Sequence, residues 1–185
     1  MPLFSRRPTL PAQIRTSLDL RHGDNVLAVA ALNDGAWVVA SRQALHVAPP
    51  SRSEVPSTAP GTGPVPTVAR HAWSEVDRAT LDPESSELTV HWITGGSECL
   101  RLADPTRSIR FAQVLRERVQ ASVVHSEVVS LSAGRVIKVA LRRDEEGQLL
   151  SQVIGDGRTD LSDPAVAALV DAAERRVRGA AGLPQ

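Results

Sequence analysis

The first sustained apolar run, Val26 to Leu32, breaks at Asn33-Asp34-Gly35 and resumes from Ala36 to Arg42. An Asp-Gly step between two β-rich runs signals a hairpin, because glycine accepts the positive φ that a tight turn needs. Leu45-His46-Val47 adds a further short strand. Between Arg70 and Leu81, Trp73, Val76 and Ala79 stand among polar residues, which fits a bulged strand better than a helix. Leu88, Val90 and Trp92 alternate with Thr89 and His91. That period of two predicts a strand over Glu87 to Ile93 with His91 on its solvent face. Gly95-Gly96 makes a turn, and Cys99 to Leu102 reads as a short strand. Residues 68–102 are therefore expected to form a three-stranded antiparallel meander.

The period changes at Asp104-Pro105, where an aspartate N-cap and a proline at the first helical position open a helix. Ile109, Ala112, Leu115, Val119 and Ser122 are its predicted buried stripe. Arg107, Arg110, Gln113, Glu117 and Gln120 occupy the other side. Three more strands follow, over Glu127 to Leu131, Arg135 to Arg143 and Gln148 to Ile154. Ser132-Ala133-Gly134 and Asp144-Glu145-Glu146-Gly147 supply their turns. Asp163-Pro164 repeats the cap-then-proline device before a stripe of Val166, Leu169, Val170, Ala173 and Val177, and Gly179 is a natural stop. Strands, helix, strands, helix is the order of an α+β protein with antiparallel sheets.

Composition alters this picture in two places. Residues 1–20 are polar, with Pro2, Pro8 and Pro11, and are expected to be a mobile N-terminal arm that becomes ordered near Leu18 and Leu20. Six of the 13 prolines (Pro49, Pro50, Pro56, Pro60, Pro64, Pro66) crowd residues 49–67 among Ser, Thr and Gly. With no apolar period to contribute to a core, that segment is expected to be a flexible surface insertion.

The 21 basic and 21 acidic side chains cancel. No global field draws the chain to nucleic acid or to an anionic membrane, so nucleic acid is not an expected partner. Cys99 is the only cysteine, which excludes an intramolecular disulfide and a cysteine-type zinc site. Met1 to Leu10 lacks the apolar stretch of a signal peptide. No apolar run approaches the roughly 20 residues a membrane-spanning helix needs. A cytoplasmic location without stable membrane insertion is the expectation.

Candidate chemistry is sparse. His22, His46, His71, His91 and His125 share no metal-ligand spacing. Gly95-Gly96-Ser97 and Gly61-Thr62-Gly63 do not join a strand to a helix as a phosphate cradle does. Cys99 has no activating neighbour in sequence. Asp156, Asp160 and Asp163 lack the terminal glutamate of a calcium loop, and Asp163 is better read as a helix cap. No catalytic, cofactor-binding or metal residue is assigned. The arginines are the least ordinary feature: Arg107, Arg110, Arg116 and Arg118 on one helix, Arg142-Arg143 at a strand end, and Arg175, Arg176 and Arg178 on the last helix. A guanidinium can grip phosphate or carboxylate with two bonds at once.

Val26-Leu27-Ala28, Asp34 to Ala40, Leu45-His46-Val47, Trp73 to Val76 and Val114 to Val119 with Ala121 to Val124 carry a family likeness. Through them the chain resembles small PH-like (pleckstrin-homology-fold) proteins of GC-rich bacteria. The resemblance implies about six antiparallel strands, as a barrel or sheet, closed by one amphipathic helix over residues 21–123, with the insertion at 49–67. A β-meander and a C-terminal helix over residues 124–185 would pack on it as an extension. PH folds that bind phosphoinositides place basic residues around the first hairpin. Here no Lys or Arg lies between Gly23 and Ser41, so that lipid site does not carry over. A fold of this kind does not dictate an activity. The expected function is a non-enzymatic binding or scaffolding module for a protein partner. The alternatives are contact with a membrane surface or nucleic acid through the arginine clusters, or an enzyme whose site is assembled only in space.

Overall fold

The structure is a computed structural model, and it describes residues 10–50, 67–155 and 157–183. Strands β1 (Val26–Ala31), β2 (Trp37–Ser41), β3 (Ala44–Ala48) and β4 (Ala69–Ala72) form an antiparallel sheet in that order. The β1–β2 turn is the one expected from Asp34-Gly35: Asp34 Oδ1 accepts from Ala36 N–H at 2.9 Å, and Gly35 takes φ +84°. Such a backbone angle strains any residue with a Cβ.

The unbroken apolar run of β2 has a physical cause, because both faces of this sheet are covered. Val38 and Ala40 point into the main core, while Val39 points the other way into a second cluster with Leu10, Ile14 and Leu18. Those three residues lie on and beside helix α1 (Ala12–Ser17) at a spacing of four, one stripe of a helix. Residues 10–18 of the expected mobile arm are therefore packed against the sheet. Residues 1–9, and residues 51–66 of the proline-rich segment, lie outside the described residues.

Strands β5 (Val76–Asp82), β6 (Glu87–Trp92) and β7 (Ser97–Arg101) make a second antiparallel sheet. The expected meander over 68–102 is corrected at its start. Residues 69–72 pair with β3, and a 3₁₀ turn, Trp73–Glu75, carries the chain across to β5. The buried Trp73 anchors that corner by donating its indole N–H to Ser41 O at 3.1 Å. The predicted bulge is present between Val76 and Arg78. The sheets meet where Leu32 bridges Leu102, but they remain two sheets and do not close into a barrel. Seven strands precede the long helix, where the pattern predicts about six.

That helix, α2 (Pro105–Ser122), is capped by Asp104, whose Oδ1 accepts from Thr106 N–H at 2.9 Å. Its buried stripe is Ser108, Phe111, Leu115, Val119 and Ser122. The first half is thus rotated from the predicted stripe, and Ile109 is 59% exposed. Phe111 has far more apolar surface to bury than Ala112, so it sets the rotation.

Strand β8 (Val123–Ser130) starts directly at the end of α2, four residues before the expected Glu127, and continues through β9 (Val136–Arg143) to β10 (Leu149–Ile154). The sheet order is β10-β9-β8. Helix α3 (Pro164–Ala180) covers one face, with Val166, Ala173 and Val177 against Val129, Ile137, Val139 and Leu141. Leu169, expected in that stripe, is 44% exposed, whereas Val170 is partly buried. This core is separate from the main one. Polar ties join the two parts: Lys138 to Asp77, Arg70 to Glu145, and Gln152 Nε2 to Ser74 O at 3.0 Å. No helix among the described residues is long and apolar enough to cross a membrane.

Candidate functional site

Where the two parts meet, a cleft of about 380 Å³ opens between four segments. Arg42 and Gln43 come from the β2–β3 turn, and Trp73 and Ser74 from the 3₁₀ corner. Arg118, Ala121 and Ser122 come from the end of α2, and Arg143, Asp144 and Glu145 from the β9–β10 turn. His22 and Gly23 complete the rim.

Each arginine is placed by local structure. Asp24 braces the turn that carries Arg42, accepting from Gln43 N–H at 3.1 Å and from Ser41 Oγ at 2.8 Å. Asn25 O accepts from Arg42 N–H at 2.9 Å. Arg118 stands one helical turn before Ser122, so both reach the same side of α2. Arg143 follows the buried Arg142 on β9 and, by strand alternation, emerges on the opposite face. Asp144 closes the next turn by accepting from Gln148 N–H at 2.7 Å.

Beneath the cleft lies Arg142, 1% exposed. Its Nη1 donates to Val76 O at 2.7 Å and Ser74 O at 3.2 Å. Its Nη2 donates to Ser122 Oγ at 2.8 Å. Burial pushes its pKa below the ordinary arginine value, and the charge of Asp77 partly opposes this. The carbonyl-rich end of α2 offers further compensation to a cation there. The sequence pattern grouped Arg142 with Arg143 as an anion-contacting pair; the structure separates them, and Arg142 is a buried tie between β9, α2 and the 3₁₀ corner.

The electrostatics of the cleft follow from which charges are already matched. Glu145, 11% exposed, is shared by Arg70 and by Arg21 Nη1 at 2.9 Å. Its hydrogen bonds hold the Arg70 pKa above the ordinary value. Asp144 is engaged with its own turn. The guanidinium groups of Arg42, Arg118 and Arg143 have no hydrogen-bond or ion-pair partner among the described residues. The cleft is therefore lined by three arginines without such a partner and by the carboxylates of Asp144, which no cation pairs among the described residues, and Glu145, which is shared by Arg70 and Arg21. Guanidinium groups bind carboxylate and phosphate through short, charge-assisted hydrogen bonds.

The remaining candidates are dispersed. His46 is fully buried, with Nε2 3.3 Å from Ser41 Oγ. Burial first, then the charge of Arg70, pushes its pKa below 6.5. Asp24, Ser41 and His46 form a chain of contacts, yet the carboxylate touches the serine rather than the imidazole, and Ser41 is fully buried. A nucleophilic triad needs the reverse order and an accessible hydroxyl. His71 lies 3.3 Å from Glu75 and packs on Trp92 at 4.5 Å between ring centroids. His91 is half-buried in a separate cleft beside Asp77 and Lys138, and His125 is exposed on β8. Among the described residues no three His, Cys, Asp or Glu side chains come together as a metal site.

Cys99 is exposed and donates to Glu87 Oε1 at 3.2 Å, which together with Arg101 holds the Glu87 pKa below its ordinary value. Asp163 caps α3 as expected, accepting from Ala165 N–H at 2.8 Å. Asp160 is bound within its own turn by Ser162, and Asp156 lies outside the described residues. Of the other sequence-highlighted arginines, Arg107 pairs with Asp104 at 3.2 Å and Arg176 grips Glu127 through two nitrogens. The sequence reading weighed His22 only as a metal ligand and did not single out Arg42 among the arginines. Arg42 is an isolated turn residue, and no local pattern links positions 42, 118 and 143.

Fold and cleft together define an α+β protein with an arginine-lined cleft at the junction of its two parts. Compared with family models, curated proteins and solved structures, the chain has no match.

Proposed function

We propose that this protein is a non-enzymatic binding module that docks an acidic segment of a protein partner in the Arg42–Arg118–Arg143 cleft. The observation that carries this reading is that three arginines from three separate elements, none with a hydrogen-bond or ion-pair partner among the described residues, line one cleft together with Asp144 and Glu145. A PH-like arrangement of β1 to β7 with α2 belongs to the same proposal. Seven antiparallel strands in two sheets, with one helix packed on their shared core, support it.

The test is titration calorimetry of the full chain with glutamate-rich and phosphoserine peptides, against the Arg42→Ala/Arg118→Ala/Arg143→Ala variant. Binding by the wild type and loss in the triple variant is the expected result. Anionic vesicles and single-stranded RNA serve as competing probes. Preference for either over the peptides at matched salt would replace the protein partner by a membrane surface or nucleic acid. Peptide binding that survives the triple substitution would refute the cleft as the site.

A further inference from the structure

Strand β8 is the outer strand of its three-stranded sheet, paired with β9 on one side only. Eight residues long and without proline or lysine, it carries only one bulge, at Val124, and one carboxylate, Glu127, of the devices that blunt an edge. Val124 is 38% and Val128 64% exposed on it.

Leu131 N–H donates to Arg135 O at 2.8 Å. Hydrogen-bonded pairs alternate along an antiparallel ladder, so Val129, Glu127 and His125 also turn their backbone groups toward β9. The N–H and C=O of Ser126 and Val128 point outward, to the open edge. Val124 is the extra residue of the bulge between Val123 and His125 and is unmatched on β9.

The sequence of this edge is its own antiparallel complement. Val123-Val124-His125-Ser126-Glu127-Val128-Val129 is symmetric about Ser126, except that His125 stands where its mirror position carries Glu127. If an antiparallel copy is laid on the edge with Ser126 on the two-fold axis, Val124 of one chain meets Val128 of the other. His125 meets Glu127, twice. The two outward-facing Ser126 backbones fall opposite each other, where they can exchange both hydrogen bonds. Cross-strand β-branched pairs favour pairing, an imidazole can donate a hydrogen bond to a carboxylate opposite it, and a two-fold contact repeats each of these.

We propose that two copies of this chain associate edge to edge through β8, antiparallel and two-fold symmetric about Ser126. The two three-stranded sheets become one continuous six-stranded sheet. Helix α3 lies on the face that carries Glu127, since Arg176 grips that carboxylate. The His125–Glu127 pairs therefore form on the helix-covered face and the Val124–Val128 pairs on the other. The inference does not depend on the arginine cleft, none of whose residues lies on β8.

Sedimentation equilibrium of the full chain from micromolar to millimolar concentration tests it. The expected mass rises toward twice the 19.8 kDa of one chain. Val128→Lys sets a charge against Val124, and Ser126→Pro removes an outward N–H that β9 does not use; each should weaken association by about tenfold or more. Register is read by oxidation of Ser126→Cys in a Cys99→Ser background. Directly opposed residues lie about 5.5 Å apart, within disulfide range, so a covalent dimer forms at 126 and not with Ser130→Cys. Should the strand variants fail to fold, this pair of cysteine variants still decides. A wild type that stays monomeric throughout, association indifferent to both β8 substitutions, or equal crosslinking at 126 and 130 would each overturn the proposal.

Discussion

Arg142 on β9 donates to Ser122 Oγ at 2.8 Å, so a strand that carries a buried guanidinium is tied to the last turn of α2. The same group also serves Ser74 O and Val76 O, and these contacts hold the two parts of the chain in register beneath the arginine cleft.

Replacing Arg142 by methionine keeps much of the volume but leaves those acceptors buried without donors. Urea denaturation should show a loss of about 2–4 kcal/mol, with Arg142→Lys intermediate because an ammonium cannot span both sets of acceptors. A change below about 0.5 kcal/mol in Arg142→Met would show that the tie does not matter.

Burial lowers the pKa of His46 below 6.5 in the folded chain. As pH falls through 6.5, the unfolded chain therefore takes up this proton first and the folded state loses relative stability. The contribution is fully present above that pH and declines below it, with a slope of at most about 1.4 kcal/mol per pH unit. His46→Gln should flatten the stability profile below about pH 6.5. An unchanged profile would count against the buried neutral imidazole.

The rotation of α2 is open to a paired test. Phe111→Ala should cost about 3–5 kcal/mol in chemical denaturation, because it empties the centre of the main core. Ile109→Lys should stay within about 0.5 kcal/mol of the wild type, because that side chain faces solvent. The opposite ranking would restore the stripe predicted from the pattern alone.

Asp104 and Asp163 cap helices that belong to different cores. Asp104→Ala and Asp163→Ala should each cost about 1 kcal/mol. Their effects should add to within about 0.5 kcal/mol in the double variant. Thermal and urea unfolding monitored by circular dichroism would read both quantities.

Much of the fold was legible because its signals are local. The Asp34-Gly35 turn, the alternation over Leu88 to Trp92 and the two Asp-Pro helix starts each fall within a few residues. The packed segment at Leu10, Ile14 and Leu18 was read instead as part of a mobile arm, because three prolines nearby outweighed its spacing of four. The split at Trp73 was not legible: nothing in residues 69–76 shows that the first four pair with β3, since that depends on an indole reaching Ser41 across 32 positions.

By itself the sequence determined the α+β class, the antiparallel strands, both helix caps and the self-complementary order of β8, because each depends on neighbouring residues. The tertiary structure alone decided which arginines do what. Arg142 was buried by the packing of β9 against α2, Arg70 and Arg21 were matched to Glu145, and Arg42, Arg118 and Arg143 were brought to the lining of one cleft. Charge neutralisation operates through space over a few ångströms, and residues that far apart in the chain acquire their partners only when it folds.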